Sequence, residues 1–478
     1  MFSGKLRRWW LTPLCVLLGF WGGRTPLLAQ EDGGESDADT GGDEEAAMEE
    51  EEAGEWLNWV EFGVGGVFVD GSRASYQQMH QVPEVLGGIS GLHYERDLGK
   101  DWWLTLDGRG IFNEENYSIS LRAAREDRGY LKVRYDQFRT WSDASGGWLP
   151  AGNVWYDLFD PEMGVDRGAF SLEAGLTLPE VPKVTFEYRH TFREGGLGST
   201  VWGVASVPGM GDRGVTPSFL GLDEQRDMVR LDVTHQFGEK VKAGLGVSYD
   251  AGRIDNARYS RQYPGQPGDA HITSRDQVED DVVAAHSFVE TRLSEKVLLT
   301  LGYAYSDYNS DHAGYRVYGA AYDPDLAQRL PAGGTYERLS GGALAGHHTG
   351  NLNLLVDLHE NLKLIPSFRI DRQDLSGVSF YQQPVGPLGP TYQALSERGF
   401  LELTENLELR YTGWANWVLY ARGEWLQGSG DLREDWDNLV SGAPLLRRAT
   451  DDDRTAQKYV VGANWYPASR LSLSTEYF

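Results

Sequence analysis

Residues 184–193 read Val-Thr-Phe-Glu-Tyr-Arg-His-Thr-Phe-Arg. Val184, Phe186, Tyr188, His190 and Phe192 share one parity, and Thr185, Glu187, Arg189, Thr191 and Arg193 share the other. Successive side chains of a strand point to opposite faces, so this stretch predicts a strand with one apolar and one wet face. Residues 241–250 repeat the pattern, setting Val241, Ala243, Leu245, Val247 and Tyr249 against Lys242, Gly244, Gly246, Ser248 and Asp250.

Outward from these two, the same alternation marks 17 strands. They fall at about 56–69, 86–98, 101–112, 115–126, 129–140, 168–178, 182–193, 225–237 and 240–250. The remainder lie at about 282–293, 296–307, 343–358, 361–372, 398–411, 414–425, 456–465 and 470–478. Short connectors with turn residues, such as Leu98-Gly99-Lys100 and Phe237-Gly238-Glu239, alternate with long Gly-, Pro- and Asp-rich ones at 141–167, 194–224, 251–281, 308–342, 373–397 and 426–455. That rhythm predicts an all-β fold, a transmembrane antiparallel up-and-down β-barrel with tight periplasmic turns and long external loops. Pro366 sits inside one strand, where its missing N–H predicts a local bulge. An odd strand count would leave the C-terminus outside, whereas bacterial barrels carry even numbers. Phe478 also falls on the opposite parity from Leu471, Leu473, Thr475 and Tyr477. The expectation is therefore a barrel of about 18 strands or more, of which this chain holds 17 before stopping short.

The start of the chain supplies an address. Lys5, Arg7 and Arg8 precede an apolar run from Trp9 to Trp21, and Leu27-Leu28-Ala29 offers a cleavage site. Residues 1–29 read as a secretory signal peptide, and export together with the alternating strands places the rest, as an expectation, in the outer membrane of a Gram-negative-type bacterium. The only cysteine, Cys15, lies within it. The remainder therefore offers no thiol for a disulfide, an iron–sulfur cluster or a covalent haem. No later stretch is apolar for eighteen residues, and in lipid only a helix or a closed barrel satisfies the backbone.

Net charge is −27, and loss of the leader, which holds four bases and no acid, takes it to −31. Such a balance excludes nucleic acid as a partner. Residues 31–55 hold 13 acids and no base, so segment 30–55 is expected to be a disordered acidic periplasmic leader, with residues 56–478 forming the barrel.

The polar parity carries charges at regular depth: Arg122, Lys132, Arg134, Glu187, Arg189, Arg230, Asp232, Lys363, Arg369, Glu402, Glu408 and Arg410. An arginine facing lipid at mid-membrane costs about 2–4 kcal/mol, so these twelve are expected to line the lumen. Trp56, Trp59, Trp102, Trp103, Trp141, Trp414, Trp417, Trp425 and Trp465 suit aromatic girdles at the membrane interfaces. Catalytic motifs are absent: there is no Gly-x-Ser-x-Gly, His-Glu-x-x-His or phosphate loop, and an enzyme is not expected. His347 and His348 are adjacent on a strand, so they point apart and make a poor metal pair. Asp311-His312 and Asp451-Asp452-Asp453 are placed in external loops.

One region carries a likeness. Tyr94-Glu95-Arg96-Asp97, Trp103-Leu104-Thr105-Leu106-Asp107-Gly108, Gly129 through Trp141, and Gly146-Gly147-Trp148-Leu149-Pro150 fall within residues 87–150. This segment resembles the barrel component of outer-membrane porin–cytochrome conduits, the MtrB/PioB type. The resemblance implies a sleeve around a periplasmic or extracellular multihaem cytochrome in extracellular electron transfer, with haem held by that partner and no cofactor bound by this chain. Some members carry a Cys-x-x-Cys near the mature N-terminus, and this chain has none. The residues alone leave a second function open, a porin for passive diffusion of small hydrophilic solutes, and outer-membrane lipid is a partner in either case.

Overall fold

In the computed structural model the described residues are 58–99, 101–143, 146–149, 154–157, 162–203, 214–262, 267–268, 270–319, 336–382 and 391–478. The signal peptide and the acidic segment lie outside them. The chain begins β1 (Trp59–Gly66), α1 (Arg73–His80), β2 (Val85–Gly99), β3 (Trp102–Phe112), β4 (Asn116–Arg125) and β5 (Gly129–Asp143). A small hairpin, β6 (Gly146–Leu149) and β7 (Val154–Asp157), leads to β8 (Glu162–Leu176) and β9 (Lys183–Gly203). Then come β10 (Gly214–Phe237), β11 (Val241–Gln262), β12 (Ala270–Ser294), β13 (Val297–Gly319) and β14 (Tyr336–His359). The last are β15 (Leu362–Gln382), β16 (Thr391–Tyr411), β17 (Trp417–Asn438), β18 (Ala443–Ala468) and β19 (Leu471–Tyr477).

Apart from the β6–β7 hairpin, the strands form one sheet of 17. It is an up-and-down antiparallel barrel wall of outer-membrane type, in which each strand pairs with the next one along the chain. Each expected strand has its counterpart. Turns at one rim use left-handed backbone, with φ of +63° at Gly238 and Asn416 and +52° at Asp127, in keeping with the turn residues there.

Register carries one apolar face across neighbouring strands. Leu231 opposes Phe186 and Val247, Val247 opposes Ala285, and Ala285 opposes Tyr305. On β11 the apolar parity runs from Val241 to Tyr249, and nine tilted residues span about 25 Å, the height of an outer-membrane apolar band. Trp417 stacks on Trp465 at 5.5 Å on this face near the short-turn rim, as a girdle requires. Trp59 and Trp103 do not join a girdle. Their register partners His93 and Asp97 lie on the polar face, and Trp59 stacks on His93 at 6.3 Å.

Three expectations are corrected. Much of the long external loops is strand: β10 begins at Gly214, β11 runs to Gln262, β12 begins at Ala270 and β18 begins at Ala443. Asp311, His312 and Asp451–Asp453 accordingly lie on β13 and β18. Above the band both faces meet water, so backbone pairing continues without the apolar alternation that marks it below. Pro366 makes no bulge, because register with β14 is the same before and after it and pairing with β16 is continuous. Its missing donor removes bridges on the β14 side without inserting a residue.

The wall is uneven. Strands β9 to β18 have 21 to 26 residues, whereas β3 and β4 have 11 and 10. Where β4 ends, the last residues of β5 lose their neighbour on that side, and α1 takes its place. Gln81 accepts from the Trp141 N–H at 2.8 Å and donates to its carbonyl at 3.0 Å, while Gln78 accepts from the Asp143 N–H at 2.8 Å. Two side-chain amides thus satisfy backbone groups that an edge strand leaves open. Gln81→Ala should cost about 1–3 kcal/mol locally. Hydrogen exchange at Trp141 and Asp143 should rise, with β10 to β13 unchanged.

Candidate functional site: a charged face behind the apolar band

The register places all twelve charged candidates on the polar face of the sheet. Arg122 opposes Lys132, Lys132 opposes Glu173, Glu173 opposes Glu187, and Glu187 opposes Arg230. Farther round, Lys363 opposes Arg410, while Arg369, Glu402 and Glu408 keep the same parity on β15 and β16.

Most of these charges are paired within the wall. Arg134 binds Asp136, Arg230 binds Asp232 at 2.6 Å, Arg369 binds Asp371 at 2.5 Å, and Arg410 binds Glu408 at 2.6 Å. Each pair lies two residues apart on one strand, where side chains share a face. Lys132 reaches Glu173 at 3.1 Å, Lys363 reaches Asp357 at 3.4 Å, and Glu402 meets Arg454 at 3.6 Å. Arg189 faces Ser171 and Met228. Half-exposed pairs of this kind contribute about 0–1 kcal/mol each, so their main effect is to neutralise the arginines locally.

Reading the sequence named Asp232 and Glu408 but missed Asp136 and Asp371, and missed the pairing itself. The signal was present as Arg-x-Asp on the polar parity at Arg134–Asp136, Arg230–Asp232 and Arg369–Asp371. Two histidines also join. His286 contacts Asp232 at 3.3 Å, and His347 contacts Asp371 at 3.3 Å, where the Thr349 hydroxyl donates to the same carboxylate at 2.7 Å. His348 turns to the other face and meets the Tyr303 hydroxyl at 2.8 Å, so the adjacent histidines do point apart. Lys458 lies over the Phe478 ring at 4.9 Å, which puts Phe478 on the polar face as its parity indicates.

Two contacts cross a whole strand. Arg226 on β10 binds Asp250 on β11 and reaches Asp280 on β12 at 2.6 Å. A Cβ on Gly252 of β11 would lie 2.5 Å from the Arg226 guanidinium and 2.6 Å from Asp280, so only glycine leaves the path open. Asp232 and His286 meet in the same way over Gly246, where a Cβ would come within 2.3 Å of both. The glycines on the wet parity of β11 are therefore gaps through which β10 and β12 touch.

Above the band on the apolar parity, Arg275 clamps Asp255 through two hydrogen bonds of 2.6 Å. These bonds hold the Asp255 carboxyl below the usual carboxylate range. A lowered folded-state value means that the pair stabilises the wall above that range and is lost as pH falls through the lowered value. Below about pH 4, hydrogen exchange at 253–257 and 273–277 should rise. In Asp255→Asn the exchange should be high at every pH, at a cost of about 1–3 kcal/mol.

No family model and no curated protein matches the chain. Among solved structures, it is similar to the open form of the ferric-catecholate import receptor Fiu from E. coli K12, with 8% identity over 88% of this chain and 75% of that one and a TM-score of 0.36. It is also similar to the copper transporter OprC, with 12% identity over 76% of this chain and 58% of that one and a TM-score of 0.39. The unliganded ferric citrate transporter FecA gives 10% identity over 81% of this chain and 64% of that one, with a TM-score of 0.37. The chain thus spans about three-fifths of the latter two.

Proposed function

We propose that this outer-membrane β-barrel protein is a sleeve that holds a multihaem cytochrome for extracellular electron transfer, its polar face forming the lumen wall. The observation that supports this reading is the set of charges, most of them paired, on the polar face of β4, β5, β9, β10, β15 and β16 in a wall of seventeen strands. A wall of this many strands encloses more space than its own side chains fill, so it holds water or another protein. Self-paired arginines and carboxylates keep the wall wet without a strong field of one sign. They can also exchange partners with a charged protein surface at small cost, giving salt-sensitive binding. The resemblance in residues 87–150 supplies the class of partner. The haems carry the electrons; the barrel insulates and positions.

The test is affinity purification of the tagged protein from native outer membranes, followed by haem staining. Co-purifying multihaem protein that dissociates at high salt supports the sleeve. A haem-free barrel with equal solute permeability in membranes and in isolation would favour the diffusion porin instead.

A further inference from the structure

We infer that the apolar face carries a specific lipid site on β12 to β15, whose ligand is an amine-bearing zwitterionic phospholipid. The inference rests on the reading that this face meets lipid. A groove of about 310 Å³ opens there, walled by Val289, Leu301, Tyr303, Leu352, Phe368 and Ile370. Its floor is Gly350, which register sets between Tyr303 and Ile370. A Cβ on Gly350 would already lie 3.0 Å from Ile370, so a larger residue fills the depression. At Gly350 the apolar row lacks a side chain, and the hollow this leaves is lined by apolar groups suited to an acyl chain.

The groove ends in polar groups at the edge of the band. The next row toward the tall rim is Tyr305, His348 and Arg372, and the row beyond is Asp307, Gly346 and Asp374. Tyr303 engages His348 Nδ1 at 2.8 Å, and Tyr305 packs on the same ring at 4.7 Å, which together fix the imidazole over the groove mouth. Arg372 is held by Asp374 at 2.9 and 3.3 Å. A purely anionic headgroup would meet Asp307 and Asp374 as well as Arg372. A headgroup with both phosphate and ammonium matches the mixed row: phosphate on Arg372 and His348, ammonium on Asp374 and Asp307. One chain in the groove and one dipolar headgroup at its mouth is the chemistry of phosphatidylethanolamine.

The full-length protein, purified in mild detergent, is given vesicle-derived phosphatidylethanolamine or phosphatidylglycerol of the same acyl composition, and retained lipid is counted by native mass spectrometry. One tightly held phosphatidylethanolamine per barrel is expected, retained about tenfold more than phosphatidylglycerol. Gly350→Leu should abolish retention, and Arg372→Ala should remove the headgroup preference while leaving heat-modifiable gel mobility intact. Equal retention of both lipids, unchanged retention in Gly350→Leu, or a dimer that Gly350→Leu dissociates without lipid would each overturn the site. Loss of heat-modifiable mobility in the unaltered protein would instead defeat the membrane-barrel reading on which it rests.

Discussion

Reconstituted alone in a planar bilayer, the protein should conduct as a wide pore with little preference between anions and cations. The reason is the pairing within the wall: Arg134, Arg230 and Arg369 each carry a carboxylate two residues away on the same face. Opposite charges at that separation cancel beyond a Debye length of about 8 Å at physiological salt. Replacing Asp136, Asp232 and Asp371 together with asparagine leaves three arginines uncompensated on the polar face. Reversal potentials under a salt gradient should then move to anion selectivity, with an anion/cation permeability ratio on the order of tenfold at low salt and a smaller one at high salt. If selectivity is unchanged, these residues do not face the conducting path. If the proposed sleeve reading holds, both proteins should be nearly closed to solutes when isolated with their bound partner.

The second large effect concerns the glycine gaps of β11. Gly252→Leu should destabilise the barrel by at least about 3 kcal/mol, because the new side chain occupies the path by which Arg226 reaches Asp280. Asp280 is 5% exposed at its side chain and would be left charged without that partner. Gly246→Leu should do the same to the Asp232–His286 contact, with a smaller loss because His286 is 43% exposed. The unfolding temperature read from heat-modifiable gel mobility should fall in both. Gly302→Ala is the control: a Cβ there would meet only the Ser287 carbonyl, at 4.0 Å, and the temperature should hold.

How far the fold is legible depends on what each residue borders. Inside the band one face meets lipid and the other water, so Val184 to Arg193 and Val241 to Asp250 alternate and announce themselves as strands. Above it the solvent is the same on both sides. Asn256-Ala257-Arg258-Tyr259-Ser260 shows no period, yet it pairs residue by residue with β12. The helix α1 was illegible for a related reason. Arg73-Ala74-Ser75-Tyr76-Gln77-Gln78-Met79-His80 has no apolar stripe, and it is held by glutamines bound to β5, which local sequence does not reveal.

The candidate site was half legible. Parity alone put the twelve charged residues on one face, since a strand offers only two. The partners two residues along the same strand were there to read, but those on other strands needed register. Lys132 is 41 residues from Glu173 in the chain, and Arg226 is 54 from Asp280. Gly246 looked like an ordinary wet-face residue and Gly252 fell in an expected loop, and only three strands seen together show that their missing side chains are the point.

The central claim is that one parity of every strand meets water and the other meets lipid. It can be tested residue by residue, because Cys15 is the only cysteine in the chain. In a Cys15→Ser background, single cysteines placed at each position from 228 to 235 of β10 are exposed to a membrane-impermeant maleimide in reconstituted vesicles. The even positions, in place of Met228, Arg230, Asp232 and Thr234, should label readily. The odd positions, in place of Val229, Leu231, Val233 and His235, should stay unlabelled until detergent is added. Uniform labelling, or labelling on the odd parity, would contradict the account.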